Sequence, residues 1–365
     1  MIRSSRRASV LLLWVALGGF VASAFAEPMR IGFIEFFGNR ELSDAQLRPH
    51  LAFSEGDMIS LDDDAWRAAF ARSQRQLSEV AGVLRPHVGG PLCCANGELI
   101  VYIGIEETGA RGLRFGKPPA GKVRLPPDVL AAGAEFMDAF FAAMAAGDFE
   151  EDTEAGHSLF HAQGPRRVQL RFVELARTNR TVLRKVLREG ADPAERALAA
   201  QILGYVDDKQ AVVPDLVRAM RDPSSDVRND AMRALLVFTK KVPTDSTRVP
   251  KVPYEPFVSL LGSPIFTDRN KSAAAVESLT ASRDPELLRL LRRQSLAPLV
   301  EMARWEVPGH AFSSRTILGR IAGCSEEEIA DTIEHDRQEE LIAAAMRGAM
   351  SGNRTSNEGD FSCAH

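Results

Sequence analysis

The sequence predicts a two-domain protein, a small α+β domain of β-α-α-β-β order followed by an all-α solenoid of paired helices. Three observations carry this. Strand-type alternation of apolar residues is confined to the first third of the 365 residues. Beyond residue 128 the apolar residues recur at helical spacing. An Asp-Pro pair also recurs, at Asp192-Pro193 and Asp222-Pro223, each followed by similar residues.

The front domain, residues 29–107, is read from local chemistry. Residues 29–37 are β-branched and aromatic and stop at the turn pair Gly38-Asn39. Ser43 caps a short helix with Leu47 and Leu51 on one face, and Glu55-Gly56-Asp57 breaks it. Trp66, Phe70 and Leu77 form one stripe of a second helix. Asn96-Gly97 opens a last strand, in which Leu99, Val101, Ile103 and Ile105 alternate as in a half-buried sheet edge.

These residues carry a resemblance. Ile31, Ile34, Phe36 and Gly38-Asn39, then Leu42 and Leu47, Glu55-Gly56-Asp57, Leu77 and the ending Ile103-Gly104-Ile105-Glu106 resemble a POTRA module. Such modules precede outer-membrane barrels or occur in cell-division proteins, where they dock other polypeptides. The resemblance implies binding by strand addition to a sheet edge; a folded spacer is the other reading. Pro86, Gly89-Gly90, Pro91 and Cys93-Cys94 depart from the family's plain strand, so this stretch is expected at an edge or a bulge.

Residues 108–127, rich in Gly and Pro, read as an extended linker. Pro126-Pro127 opens a helix with Val129, Ala132, Phe136, Met137, Phe140 and Met144 on one face, ended by Gly147, and no strand is expected after it. In the repeats, each Asp is expected to cap a helix whose first residue is the proline. Arg196, Ala199 and Leu203 match Arg228, Ala231 and Leu235, each pair 32 apart, whereas the Asp-Pro starts are 30 apart. These units resemble HEAT repeats, with degenerate copies over 256–281 and 296–322 and a closing helix after Ser325 within a helical domain of residues 128–347. Arg196 and Arg228 are expected to brace neighbouring turns. The proline-rich stretch 242–256 is expected to project as a surface loop, and residues 348–365 read as a disordered tail.

Ahead of both domains, Arg3, Arg6 and Arg7, an apolar run and Ala24-Phe25-Ala26 have the order of a cleaved export signal over residues 1–26. The expected location is therefore periplasmic, with no membrane span after cleavage; a start at Met29 would remove that argument. Net charge is −4, and loss of the three arginines takes it to −7 (−4 − 3), a balance unsuited to nucleic acid. In an oxidising compartment Cys93, Cys94, Cys324 and Cys363 are disulfide candidates with three connectivities open. His157 and His161, four apart, offer a metal-binding face if they share a helical turn, with a packing or capping role as the other reading. No nucleophile, phosphate-loop, dinucleotide or haem motif is present, and no cofactor is expected. The sequence thus reads as an exported, non-enzymatic adaptor for protein partners. The alternatives are an accessory factor in outer-membrane protein assembly or secretion and a metal-dependent hydrolase.

Overall fold

The computed structural model describes residues 28–60, 64–90, 92–95, 97–110, 112–148, 150–240 and 250–350. The export-signal reading, Cys363 and the tail beyond residue 350 lie outside them.

The front domain runs β1 (Met29–Phe37), α1 (Asp44–Leu47) with a 3-10 turn (Arg48–His50), β2 (Met58–Ile59), α2 (Ala65–Ser78), β3 (Val83–Val88), β4 (Leu92–Ala95) and β5 (Glu98–Glu107). The sheet order is β2-β1-β5-β3, with β4 also on β5. β1 runs parallel to β5, and β3 and β4 run antiparallel to it. Gly38 takes φ +86°, and a Cβ there would lie 2.3 Å from the Ile105 carbonyl oxygen, which explains glycine at this turn. Glu107 holds the following loop by accepting from the amides of Glu41 and Leu42.

Two expectations about the sheet are corrected. β5 is its centre, not its edge, and residues 99–107 are buried throughout. Ile31, Ile34, Val101, Ile103 and Ile105 face a core shared with α1 and α2, whereas Phe37, Ile100 and Tyr102 belong to the core of the helical domain. The antiparallel partner of β5 is interrupted around Gly89-Gly90, giving β3 and β4. A Cβ on Gly89 would sit 2.9 Å from the Tyr102 carbonyl oxygen.

The helical domain comprises α3 (Pro127–Ala145), α4 (Gln163–Glu189), α5 (Pro193–Leu203), α6 (Val213–Ala219), α7 (Ser225–Thr239), α8 (Glu255–Leu260), α9 (Phe266–Thr280), α10 (Pro285–Gln294), α11 (Leu296–Ala303), α12 (Pro308–Ala322), α13 (Glu326–Glu334) and α14 (Gln338–Met350). The second helices of successive units, α5, α7, α9 and α12, pack side by side. Gly133 of α3 sits where a Cβ would lie 2.5 Å from Leu198 of α5, so the glycine permits close helix approach. Met137 of α3 is exposed and not part of the packed face. The expected closing helix is two, α13 and α14, separated at Asp336 with φ +52°. Ser325 and Glu328 form the capping box of α13. Helical backbone continues to Met350, three residues past the expected domain end. Among the described residues no helix is long and apolar enough to cross a membrane.

Strand structure does occur after Gly147. Glu151–Asp152 (β6) and Leu159–Phe160 (β7) pair as a hairpin, with Gly156 at φ +78° in its turn. Two-residue strands are too short to leave a period in the sequence.

The linker is extended but does not float. The amide of Gly116 donates to Arg221, that of Gly121 to Glu189, and that of Leu125 to the Glu195 carboxylate. It straps the turns that precede α5 and α7 and leads from the sheet to α3.

Candidate functional site

Three arginines stand at the fourth residue of successive second helices and tie the units together. Arg196 of α5 donates to the carbonyls of Gly190 and Ala191 in its own turn and forks onto Asp222 of the next unit at 2.8 Å. Arg228 of α7 repeats this with the carbonyls of Asp222 and Pro223 and with Asp268 of α9, both partners fully buried. Arg269 of α9 donates to the Ser263 carbonyl and pairs with Glu301 of α11. Phe115 of the strap lies 3.8 Å from the Arg228 guanidinium and Phe37 of the sheet 4.7 Å from that of Arg269. All these groups have partners, so the row binds the protein to itself.

The two Asp-Pro pairs differ in use. The Asp192 carboxylate accepts from the amides of Ala194 and Glu195, and Pro193 is the first residue of α5. Asp222 does not cap α7, correcting that expectation. The two extra residues after Pro223 move the helix start to Ser225, and the Asp222 carboxylate serves Arg196 and the Ser224 amide. Arg269 is absent from the sequence reading. Asp268-Arg269 at the third and fourth residues of α9 was the signal, obscured by the longer connection before it.

The free face of the second helices carries a polar strip. Asp230 of α7 and Lys271 of α9 occupy the same place in their helices, beside Asn229, Arg233 and Asn270, all partly exposed. Burial pushes the Asp230 carboxyl up to about 7 and the Lys271 ammonium down to about 8. The β6–β7 hairpin covers one end of the strip. Its Glu151 pairs with Arg233, and the Tyr205 hydroxyl donates to the Ser158 carbonyl at 2.9 Å. Phe312 on α12 is exposed at the other end, 48% accessible.

His157 and His161 flank β7 and do not share a helical turn. His157 packs against the Tyr205 ring at 5.3 Å, and burial lowers its pKa. His161 is exposed beside Glu150 and Asp152. Among the described residues, no group of three or more His, Cys, Asp or Glu is placed to hold a metal ion. Cys324 is fully buried and disulfide-bonded. The side chains of Cys93 and Cys94 and all of Cys363 lie outside the described residues.

Where sheet and array meet, Tyr102 stacks on Phe266 at 4.1 Å, with Trp305 4.9 Å away. Its hydroxyl lies 2.8 Å from Nδ1 of His310. Burial, with the Lys271 charge adding, pushes His310 down to about 4, so the ring is neutral at ordinary pH. The Glu306 amide donates to Glu35 of β1, and the Gly38 amide donates to Glu301. None of these pairings across the seam was foreseen from sequence.

The fold and its repeated arginine row define a helical-repeat protein with an α+β domain docked on it. Residues 181–245 match the model of the HEAT repeat family. Two solved structures are similar over part of the chain. One is a computationally designed armadillo repeat protein for modular peptide recognition, 15% identical, covering 51% of this chain and 93% of that one, with a TM-score of 0.31. The other is the designed armadillo repeat protein YIII(Dq)4CqI, 15% identical, covering 54% and 98%, with a TM-score of 0.31. No curated protein matches.

Proposed function

We propose that this protein is an exported, non-enzymatic scaffold that holds a polypeptide along the free face of its helical repeats. The observation that carries this is the polar strip of Asp230, Lys271 and their asparagine neighbours, which runs from the hairpin toward the exposed Phe312. Helical solenoids present long surfaces of this kind, and long surfaces suit polypeptides. The HEAT match over 181–245 supports the same reading, because it covers α7, which carries half of the strip. A photo-crosslinking residue placed at Phe312 in the exported protein is expected to capture polypeptide in the cell envelope, while one at the exposed Arg289 of α10 captures little. Equal capture at both positions, or none, defeats the reading. A reporter active only after export, fused behind residues 1–28, tests location; an inactive reporter removes the periplasmic assignment.

The POTRA-like front domain fits the same class, and strand addition there faces a specific obstacle. On the outer edge of β3 the Gln74 amide imitates a neighbouring strand: its oxygen accepts from the Val88 amide at 2.7 Å and its nitrogen donates to the Pro86 carbonyl. On β1 the Glu55 carboxylate accepts from the Ile34 amide and Arg48 donates to the Ile34 carbonyl, both at 3.0 Å. A partner strand adding to β3, or to β1 beyond its pairing with β2, must displace one of these. Gln74→Ala is therefore expected to expose the β3 edge and strengthen capture of an extended peptide. Unchanged capture assigns this domain a docked, structural role instead.

A further inference from the structure

Along the seam between β1 and the helices α10 and α11 runs a groove of about 770 Å³. Phe36, Leu296, Val300 and Trp305 supply apolar lining, and Arg40 and Arg293 stand among its polar groups. What singles it out is which of those groups are already satisfied. Its carboxylates are engaged: Glu301 with Arg269 and the Gly38 amide, Glu35 with the Glu306 amide, and Asp44 with the Asn39 side chain. Its donors are not. Arg40 and Arg293 are exposed and pair with no carboxylate among the described residues. Trp305 is 2% exposed, and its indole N–H is closed off from solvent, so it serves the groove as apolar wall.

We propose that this groove binds an acidic, extended segment of a partner polypeptide, in which an apolar side chain is flanked by carboxylates. Two separate guanidinium groups call for two carboxylates, and the aromatic and aliphatic lining calls for the apolar side chain between them. A guanidinium forks onto a carboxylate more favourably than onto any neutral acceptor. The proposal rests on the scaffold reading and adds a second, chemically distinct seat to it.

The probe is a labelled hexapeptide, acetyl-Asp-Glu-Phe-Leu-Glu-Asp-amide, titrated into the full chain by fluorescence anisotropy, beside a counterpart with every acid replaced by its amide. The acidic peptide is expected to bind at least about tenfold more tightly, and added salt to weaken it. Arg40→Glu and Arg293→Glu, both on exposed residues and checked for an unchanged melting temperature, are each expected to lower affinity about tenfold. Equal binding of the two peptides, or affinity untouched by both arginine variants, overturns the proposal. So does binding that appears only when the chain is ended after Met350, because the groove then belongs to the chain's own last residues, which include Glu358, Asp360 and Phe361. Retained capture at Phe312 alongside either failure leaves the scaffold reading standing and removes this groove alone.

Discussion

The front sheet and the helical array each have open sides, and they close them by opposite means. The sheet covers β3 and the stretch of β1 beyond β2 locally, with the uncharged Gln74 amide on the one and the exposed pair of Arg48 and Glu55 on the other. The array closes each unit with a buried guanidinium that reaches into the next, from Arg196 to Asp222, Arg228 to Asp268 and Arg269 to Glu301. A sheet edge satisfied by its own neighbours can be opened without disturbing the rest. An array joined through buried charges cannot, since a lost partner leaves a desolvated ion behind.

The sharpest way to break this comparison is at Arg228. Arg228→Met strands the fully buried Asp268 carboxylate, and the expected loss is about 3–5 kcal/mol in chemical denaturation. Replacing both partners, Arg228→Met with Asp268→Leu, is expected to recover most of it, because the desolvation penalty disappears with the charges. A loss of the single variant near zero, as expected of a surface pair, would mean that the row does not join the units.

A smaller effect is expected at the seam. A Cβ at position 104 would lie 1.8 Å from the carbonyl oxygen of Pro264, just before α9, and backbone cannot yield as a flexible side chain does. Gly104→Ala is expected to push the sheet off the array, at about 1–3 kcal/mol. Hydrogen exchange should then quicken in β5 while α5 and α7 keep their protection. Uniform quickening throughout would show instead that sheet and array unfold as one unit.

That seam explains what sequence reading reached and missed. The paired helices of the first two units are legible because Asp192 and Pro193 act within a few residues in the first, and because alanines and leucines recur at fixed offsets in both. The centre of the sheet was legible too, but through a different signal. Leu99-Ile100-Val101-Tyr102-Ile103 is an unbroken apolar run, which marks a strand buried on both faces, and attention to its odd-numbered residues alone makes an edge of it. Asp222 was misjudged because its partner, Arg196, comes from the preceding unit. The seam groove was beyond reach, since Phe36 and Trp305 come to line one groove only after two separately legible domains have docked.

The smallest expected effect is electrostatic and separates two groups at that seam. Burial pushes the Glu35 carboxyl up to about 7; Glu306 and Asp44 add negative charge, and the amide donated by Glu306 works the other way. Between its ordinary value of 4.5 and about 7, the folded chain holds a proton that the unfolded chain releases, so this group lowers stability as pH rises through that window. His310 acts in the opposite sense. Its value falls from 6.5 to about 4, so the unfolded chain binds the extra proton between those limits and stability rises with pH there. Comparing Glu35→Gln with the parent chain cancels the histidine contribution. The variant is expected to gain stability relative to the parent on going from pH 5 to pH 8, by about 1 kcal/mol after solvent screening, or roughly 2–4 °C in melting temperature. A difference that is flat with pH would place Glu35 in contact with water and loosen the seam, leaving the array's buried row as the part of the molecule that is closed.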